Sequence, residues 1–412
     1  MSATLAADEA VRRRQAEGLS TLPLAFGQAG LPVHPRLRQA ITDAADRNGY
    51  GSVAGSAELR DAAAGYWRRR GLDTSPAQVL TGPGSKALLY TVLQAVGGDV
   101  VIPQPSWVSY AAQITLLGKQ PLRVPTLPRQ GGVPDPDRLL DAVRRARHIG
   151  RDVRAVVLTV PDNPTGTLAS AATVERVAAI ARQLDLVVVS DEIYRDLVYD
   201  GSSRSPAEFA PERVVITSGL SKSLALGGWR IGVARLPAGD IGDRLRERML
   251  SAASEIWSSV AQPVQFAAAL AFDEPDDLTE YIARARHLYQ RITMAVADAF
   301  TTVGAAVPSP QAAFYLYPDL TPQRERIAAI HHIHTGSDLA DVLFDRYGIA
   351  TLPGRTFGES TDPLTLRICT GMLTGNDPQQ RAQALRSTDP LALPWIADAL
   401  GRLRLALSEL TR

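Results

Sequence analysis

The chain has 412 residues, a length suited to two domains, and its 44 basic and 43 acidic side chains leave a net charge of +1. This near-zero charge gives no electrostatic reason to expect a nucleic acid or an anionic membrane as a partner. Hydrophobic residues make up 45% of the chain and charged residues 21%, which excludes disordered and collagen-like classes. The single cysteine, Cys369, excludes an intramolecular disulfide and a multi-cysteine metal site.

The N-terminus, MSATLAADEAVRRRQ, carries early acidic residues and lacks the apolar segment of a signal peptide. No stretch of the chain reaches the roughly 18–20 consecutive apolar residues that a membrane-spanning helix needs. Together with the lone cysteine, these features predict a cytoplasmic protein.

The first part of the chain predicts a short charged helix over residues 5–18 and an extended, proline-containing arm over residues 21–35. From about residue 75 onward, strands and helices alternate. The predicted strands are residues 78–81, 99–102, 153–160, 186–190 and 214–218, with helices at 86–96 and 171–184. The strand VRAVVLTV is apolar almost throughout, which is typical of a parallel strand buried on both faces. This alternation predicts an α/β fold with a mostly parallel sheet.

The second part of the chain is predicted to be helical over residues 240–272, with a long helix over 275–303. Short strands at 313–317, 349–352 and 365–369 then mix with helices and indicate a smaller α+β domain. Residues 373–393 are interpreted as a polar, proline-containing stretch before an amphipathic helix over 394–410. We expect residues 1–48 to form an arm and part of the small domain, 49–275 the large domain, and 276–412 the small C-terminal domain.

Only three of the 44 basic residues are lysines, namely Lys86, Lys119 and Lys222, so a function that needs a lysine amine has three candidates. The segment TSGLSKSLALGGWRIG places Lys222 on a serine-rich loop after a predicted buried strand and places Arg230 further along. Such a lysine can form a Schiff base with an aldehyde cofactor, and a nearby arginine can hold a phosphate. The alternative is a surface lysine and an unrelated arginine.

Two polar segments follow other predicted strands. Asn163, in VPDNPTGT, lies either in a plain turn or at a ligand site, because α/β ligand sites gather at the carboxyl ends of parallel strands. Asp191, in VVVSDEIY, either caps a helix or pairs with a protonated ring nitrogen of a cofactor. Tyr194 is predicted to share a helical face with Asp191 and could donate to a phenolic oxygen of the same cofactor.

Two further segments could contact a cofactor. The sequence TGPGSK precedes an apolar helix, and its glycines allow a phosphate to approach free backbone N–H groups. Its spacing matches neither GxxxxGK[ST] nor GxGxxG. Lys86 in this segment either contacts the phosphate or is solvated. Trp107, in PSWVSY, is either a core residue or a face on which a planar ring stacks.

In combination and in this order, NPTG, SDEIY, and SK followed by GGWRIG resemble the fold-type I pyridoxal-phosphate enzymes, specifically the class I/II aminotransferase family. The resemblance runs from about Gly27 to Arg367. It implies a large domain with a mostly parallel, seven-stranded-type sheet beside a smaller α+β domain. It also implies pyridoxal 5'-phosphate as cofactor, amino acids and 2-oxo acids as substrates, and a homodimer with shared active sites. Neither nucleic acid nor membrane is an expected partner.

The resemblance also implies a role for each matching residue. Lys222 matches the catalytic Schiff-base lysine. The other matches to cofactor-binding residues are Gly84, Ser85, Lys86, Trp107, Asn163, Asp191, Tyr194, Ser218, Ser221, Arg230 and Tyr50. Among these, Tyr50 matches a tyrosine that reaches the phosphate of the other subunit. The matches to substrate-binding residues are Gly27, Trp107, Asn163 and Arg367, with Arg367 holding the α-carboxylate.

This chain departs from the family pattern at three places. Gly219 stands where a phosphate-binding serine is usual, with Ser218 before it and Ser221 after it. The arm reads FGQAGLP around Gly27 rather than the usual G-x-P-D-F. The segment SAASEIWSS matches the side-chain-binding region of dicarboxylate-specific members but contains no arginine. We therefore expect a main substrate other than aspartate or glutamate.

Fold does not fix the reaction, so other pyridoxal-phosphate chemistry on the same fold remains an alternative. It includes β/γ-elimination or replacement, carbon–carbon bond formation, and oxidation of an amino acid. A cofactor-sensing regulator is disfavoured, because the roughly 25 residues before Gly27 are too few for a DNA-binding domain. The run HHIH, from His331 to His334, is predicted to be a surface loop rather than a metal site, because no carboxylate stands at a recognised ligand spacing.

Overall fold

The computed structural model describes residues 3–360 and 362–412. The α-helices in these ranges are α1 Ala3–Ala16, α2 Pro35–Asp43, α3 Ala57–Arg68, α4 Ser85–Val96, α5 Val108–Leu116, α6 Pro136–His148, α7 Ala171–Gln183, α8 Asp240–Ile256, α9 Gln262–Phe272, α10 Asp276–Thr302, α11 Arg324–His331, α12 Gly336–Tyr347, α13 Pro378–Arg386 and α14 Pro394–Thr411. The strands are β1 Leu22–Pro23, β2 Val79–Gly82, β3 Asp99–Gln104, β4 Pro121–Leu127, β5 Gln130–Pro134, β6 Val153–Thr159, β7 Val187–Asp191, β8 Val214–Gly219, β9 Gly232–Arg235, β10 Tyr315–Leu316, β11 Ile349–Ala350, β12 Leu352–Pro353 and β13 Leu366–Cys369.

The central sheet has the strand order β2-β9-β8-β7-β6-β3-β4-β5. Strands β8, β7, β6, β3 and β4 run parallel, whereas β9 is antiparallel to both of its neighbours. The predicted α/β fold with a mostly parallel sheet of the seven-stranded type is confirmed. The short strand β5 extends the sheet to eight strands because it folds back on β4 as an antiparallel hairpin.

Helices cover both faces of this sheet, and β6 illustrates why its sequence is almost continuously apolar. Ala155 and Val157 pack on the face that carries α4, α5 and α8. Val156 and Leu158 point the other way, into the larger core that includes residues of α6 and α7. Because successive side chains of a strand alternate between faces, a strand covered on both sides must be apolar at nearly every position.

The remaining strands form smaller sheets beside the central one. Strands β10, β13 and β12 form an antiparallel sheet, and β1 pairs in parallel with β11. The N-terminal arm therefore joins the C-terminal part of the chain, although it is far from it in sequence. The predicted long helix is present as α10, whose 27 residues begin with two aspartates near the positive end of the helix dipole.

Residues 373–393, which were interpreted as a polar, proline-containing stretch, include the helix α13, which that interpretation did not predict. The side chain of Asp377 accepts a hydrogen bond from the backbone N–H of Gln380 at 2.8 Å and caps the helix. Pro378 occupies the first helical position, where a proline costs no hydrogen bond. Here the proline starts a helix rather than breaking one.

Across residues 3–360 and 362–412, no helix is both long and apolar enough to cross a membrane.

Candidate active site

A cavity of about 510 Å³ lies where β3, β6, β7 and β8 end, and residues of the small C-terminal sheet close it from the other side. Most of the residues singled out in the sequence border it, although they come from widely separated parts of the chain. They are Gly27, Ser85, Lys86, Trp107, Asn163, Asp191, Tyr194, Ser221, Lys222, Arg230 and Arg367. The fold therefore brings together the motifs that followed different predicted strands.

Three of the predicted residues do not border this cavity in the single chain. Gly84 lies directly beside it, as the residue before α4. Ser218 lies within β8 opposite Val233 and is buried, so of the two serines that flank Gly219 only Ser221 faces the cavity. Tyr50 is 96% exposed and points away from the rest of this chain.

Lys222 reaches into the cavity from the loop that follows β8. Its Nζ donates a hydrogen bond to the carbonyl oxygen of Gly27 at 2.5 Å. Removal of this amine from water lowers the pKa of Lys222 to about 8. A substantial fraction of the amine is therefore neutral near pH 8, and a neutral amine can attack an aldehyde carbon.

The start of α4 forms an anion-binding end of the cavity. Gly84 precedes the helix with a φ of 87° and offers no side chain to cap it, so the first N–H groups are available to a ligand. Arg230 lies against this turn, since a Cβ atom at Gly84 would be 2.3 Å from its Nη2. The N–H groups, the Arg230 guanidinium and the hydroxyls of Ser85 and Ser221 could together hold a phosphate.

Trp107 lies at the cavity wall, immediately before α5. Its ring meets that of Tyr110 edge to face, with the ring centres 5.3 Å apart. The Nζ of Lys86 lies 5.1 Å from the centre of the Trp107 ring. These contacts fix the orientation of the indole, and a planar cofactor ring could stack on it.

Asp191 is the last residue of β7 and is 4% exposed. Tyr110 Oη donates to its Oδ2 at 2.9 Å, and the N–H of Ile193 donates to its Oδ1 at 3.4 Å. Burial raises the pKa of Asp191 to about 6. Above that pH a buried negative charge with two neutral donors faces the cavity, where a protonated ring nitrogen would compensate it.

Asn163 and Tyr194 meet in the cavity wall, where Nδ2 of Asn163 donates to Oη of Tyr194 at 3.3 Å. The expectation that Tyr194 shares a helical face with Asp191 is wrong. The residues after β7 form a turn, and only the 3-10 helix Arg195–Leu197 follows. Tyr194 nevertheless borders the same cavity as Asp191, because the turn folds it back over the end of the sheet.

Arg367 lines the cavity from β13 and is 1% exposed. Its guanidinium carbon lies 5.2 Å from the ring centres of both Tyr315 and Phe357. Nη1 donates to Oδ1 of Asn163 at 3.4 Å, and Nη2 donates to the carbonyl oxygen of Ala25. Nε is buried and has no partner within the described part of the chain. A buried guanidinium whose named contacts are all neutral calls for an anion, and a ligand carboxylate would supply both the charge and the missing acceptor.

Sequence reasoning missed two tyrosines that belong to this cavity, Tyr110 and Tyr315. Tyr110 follows Trp107 by one helical turn, in the quoted segment PSWVSY, so helical spacing could have found it. Tyr315 lies in a predicted strand of the small domain, and nothing in the local sequence indicates its contact with Tyr194. The start of α1 also reaches the cavity through Leu5.

The histidines of the HHIH run are not among the residues that border the cavity. Helix α11 ends at His331, whose Nε2 is 3.2 Å from the carbonyl oxygen of Glu409, and His332 adopts a left-handed backbone conformation. In the part of the chain that the structure describes, no three histidine, cysteine or carboxylate side chains are grouped so that they could hold a metal ion.

A comparison with known sequence families matches residues 22–385 to "Aminotransferase class I and II". The chain belongs to this family. The aminotransferase is 33% identical to a probable aspartate/prephenate aminotransferase of Thermus aquaticus, an alignment that covers 78% of this chain and 82% of the relative. It is 31% identical to an aspartate/prephenate aminotransferase of Thermus thermophilus, with 86% and 89% covered.

The fold of the aminotransferase has counterparts among solved structures. An aspartate aminotransferase from Thermus thermophilus with maleate superimposes with a TM-score of 0.81 at 28% identity, covering 93% of this chain and 95% of that one. An aromatic aminotransferase from Pyrococcus horikoshii OT3 has a TM-score of 0.77 at 24% identity, covering 97% and 99%, and supports the fold alone.

The aminotransferase is thus a pyridoxal 5'-phosphate-dependent transferase that moves an amino group between an amino acid and a 2-oxo acid. Its cavity fits this cofactor on three observations. The uncapped start of α4 with Arg230 suits a phosphate, and the buried Asp191 suits a pyridinium nitrogen. The Lys222 amine, with its lowered pKa, suits the aldehyde.

Proposed function

We propose that one group of side chains in the cavity holds the cofactor and that Arg367 selects the substrate as an α-amino acid. The observation that carries this proposal is the buried guanidinium of Arg367, which has no acidic partner among the described residues and lies in the same cavity as the Lys222 amine. A planar guanidinium binds a carboxylate through two parallel hydrogen bonds. It would hold the α-carboxylate so that the Cα–H bond lies within reach of Lys222.

The cofactor-binding roles follow from the chemistry of each neighbour. Arg230, Ser85, Ser221 and the N–H groups after Gly84 bind the phosphate. Trp107 supports one face of the ring, and Lys86 adds positive charge near the phosphate end. The negative charge of Asp191 keeps the ring nitrogen protonated. Ser218 supports the site indirectly, as a buried residue of β8, the strand that precedes the Lys222 loop.

Lys222 has two tasks in this proposal. It attaches the cofactor through its Nζ, and after release it carries the proton between the substrate Cα and the cofactor. When bound, the cofactor supplies an electron sink for the charge left when the Cα proton departs. Asn163 and Tyr194 orient the phenolic oxygen of the ring by hydrogen bonds, and Gly27 covers the substrate from the arm.

The side chain of the preferred amino acid is proposed to be other than a dicarboxylate, because residues 251–259 contain no arginine. The Thermus relatives are named for aspartate and prephenate, so aspartate is the first donor to compare. A kcat/KM for aspartate above that for apolar and aromatic amino acids would overturn this part of the proposal. Non-dicarboxylate donors with the higher kcat/KM would support it.

The active unit is proposed to be a homodimer in the cytoplasm, with domains at residues 1–48, 49–275 and 276–412 as expected from the sequence. The exposure of Tyr50 is compatible with the dimer, because a side chain that is 96% exposed in the single chain is free to contact a partner subunit. In a two-fold dimer, Tyr50 of each protomer would reach the phosphate in the other.

A complementation experiment tests the shared site. Lys222→Ala and Tyr50→Ala are purified separately, and then produced together so that hybrid dimers form. In a hybrid, one site carries both substitutions and the other carries neither. Activity in the mixture well above that of either variant alone is expected. A mixture no more active than the sum of the two variants would mean that Tyr50 does not act across an interface.

The spectrum of the purified protein tests the central assignment. Pyridoxal phosphate gives a visible absorption band when it is attached to a lysine, and single amino acids are then added one at a time. We expect the band to be lost with the preferred donor and to return with a 2-oxo acid.

Two lysine variants test which lysine carries the cofactor. Lys222→Ala should lack both the lysine-bound band and turnover. Lys119→Ala changes a lysine whose Nζ bonds the Leu93 carbonyl, and it should retain both.

A further inference from the structure

Tyr315 is a fully buried tyrosine in the wall of the cavity, and it has no role in the function argued so far. It lies on β10 and is 0% exposed. Its ring packs against the Arg367 guanidinium, and its Oη lies 2.9 Å from Oη of Tyr194. Which of these two hydroxyls is the donor decides whether the Tyr194 hydroxyl can donate its hydrogen to a ligand.

The orientation of the Asn163 amide is fixed by Arg367. A guanidinium has only donors, so the atom of Asn163 that faces Arg367 must be the acceptor Oδ1. The Nδ2 group therefore faces Tyr194, and its hydrogen bond at 3.3 Å makes the Tyr194 oxygen an acceptor. One of the two lone pairs of that oxygen is thus occupied.

The hydrogen of the Tyr315 hydroxyl has one destination among the described residues. The Tyr194 oxygen is the only partner with which Tyr315 Oη forms a hydrogen bond within residues 3–360 and 362–412. A fully buried hydroxyl that failed to donate would leave its hydrogen unsatisfied, which is costly. Tyr315 therefore donates to Tyr194, and the second lone pair of the Tyr194 oxygen is occupied as well.

We propose that Tyr315 is a positioning residue whose donated hydrogen bond directs the hydroxyl hydrogen of Tyr194 into the cavity, toward the phenolic oxygen of the bound cofactor. This inference rests on the proposed role of Tyr194. A hydroxyl with both lone pairs occupied retains one hydrogen to donate, and the cavity is the space left for it. Without Tyr315, the Tyr194 hydroxyl is free to rotate and loses its fixed direction.

The arm that carries Gly27 depends on the same hydroxyl. A Cβ atom at residue 27 would lie 2.6 Å from Tyr315 Oη, which is closer than such atoms approach. Glycine at this position therefore leaves the room that the Tyr315 hydroxyl occupies. A larger residue at position 27 would push the hydroxyl away from Tyr194 while leaving the Tyr315 side chain chemically intact.

The test follows the visible absorbance of the cofactor-loaded protein across neutral pH and compares Tyr315→Phe with the unchanged chain. A donor to the phenolic oxygen withdraws electron density and makes the cofactor-bound nitrogen less basic. Because Tyr315→Phe leaves the Tyr194 hydroxyl without its fixed direction, its hydrogen bond to the phenolic oxygen should weaken. The pH midpoint of the absorbance change should therefore move upward by about 0.5–1 pH unit, which corresponds to about one hydrogen bond. Tyr317→Phe is the matched control, because the Tyr317 hydroxyl bonds to Glu359 instead, and its midpoint should stay unchanged.

The double variant Tyr194→Phe/Tyr315→Phe makes the test specific. If Tyr315 acts through Tyr194, the double variant should shift no further than Tyr194→Phe alone. Additive shifts, or an unchanged midpoint in Tyr315→Phe, would overturn the proposal. Should Tyr315→Phe fail to fold, Gly27→Ala must give the upward shift instead, and an unchanged midpoint there overturns it equally. If the unchanged chain gives no lysine-bound band, the proposed function itself has failed, which is a different result.

Discussion

Oη of Tyr110 donates to Oδ2 of Asp191 at 2.9 Å and lies 2.8 Å from Oγ1 of Thr159, so one buried tyrosine joins α5 to the ends of two parallel strands. This contact matters because Asp191 carries a buried charge. Burial raises the pKa of Asp191, whereas the Tyr110 hydroxyl opposes that effect by stabilising the charged carboxylate. Tyr110 therefore helps to decide at which pH the cavity presents a negative charge to a ring nitrogen.

Cofactor affinity should consequently depend on pH and on Tyr110. Because burial raises the pKa of Asp191 to about 6, its carboxylate is charged above that pH and becomes protonated below it. The affinity of the apoprotein for pyridoxal phosphate should fall as pH drops through about 6. In Tyr110→Phe the pKa of Asp191 rises, so the fall should begin about 0.5–1 pH unit higher. Titration of the apoprotein with cofactor at a series of pH values measures the onset.

Two variants control this measurement. Asp191→Asn should bind the cofactor more weakly at alkaline pH and lack the Asp191-dependent fall. Tyr199→Phe removes another buried tyrosine hydroxyl, which bonds the carbonyl oxygen of Ala313 at 2.9 Å outside the cavity, and should leave the onset where it was. An onset in Tyr110→Phe identical to that of the unchanged chain would contradict the role assigned to Tyr110.

Substitution of Arg367 should affect the binding of carboxylate-bearing substrates. Arg367→Lys keeps a positive charge but loses the planar fork, so KM for the preferred amino acid should rise by about 10- to 100-fold. Arg367→Met, which lacks the charge, should raise KM further. Steady-state kinetics check both, and amines without a carboxylate serve as the control, since their low activity should change little. An unchanged KM in both variants would show that the carboxylate binds elsewhere.

Gly84→Ala should raise the dissociation constant of the cofactor beyond what its loss of folding stability would explain. The new Cβ would lie 2.3 Å from Nη2 of Arg230 and would displace the guanidinium from the start of α4. Gly97→Ala is a matched control at the other end of α4, because Gly97 also has a positive φ, of 75°, but its Cβ would meet nothing within 4 Å. Both variants should lose similar stability, while only Gly84→Ala should raise the dissociation constant of the cofactor, by about tenfold. Equal dissociation constants would argue against a phosphate at this turn.

The central sheet was predictable from the sequence because its strands are buried on both faces. Such strands are apolar at successive positions, as in β6, and polar residues mark the point where each one ends. The cavity was predictable for the same reason, since Asn163 and Lys222 follow two of these strands and Asp191 ends a third. A parallel sheet gathers the carboxyl ends of its strands at one edge.

Contacts between distant segments could not be predicted in this way. Tyr194 and Tyr315 are 121 positions apart, and the hydrogen bond between them depends on how β10 packs against the turn after β7. Local periodicity carries no information about such packing. Helix α13 was not predicted for a different reason: residues 373–393 are polar and contain prolines, whereas the local structure depends on the Asp377 side chain that caps the helix.

Asp162, next to Asn163, allows a prediction about stability rather than catalysis. It is 1% exposed, and its Oδ2 accepts hydrogen bonds from Oγ1 and the N–H of Thr165 at 2.5 and 3.2 Å. Its Oδ1 is buried and has no partner among the described residues. Burial raises the pKa of Asp162 from 3.8 to about 7. The folded protein therefore holds this proton more tightly than the unfolded chain does.

The sign of the pH dependence follows from that difference. Because the folded-state pKa of Asp162 is the higher one, its contribution lowers the free energy of unfolding as pH rises from about 4 to about 7 and is constant above. Asp162→Asn keeps an acceptor for Thr165 without the charge. Near pH 8 the substitution should therefore raise the free energy of unfolding of the apoprotein by about 2–4 kcal/mol. Near pH 5 the gain should fall to less than half. Urea unfolding at both pH values measures it, with the exposed Asp61→Asn as the control. A gain of equal size at both pH values would mean that amide packing, rather than removal of a buried charge, stabilises the variant.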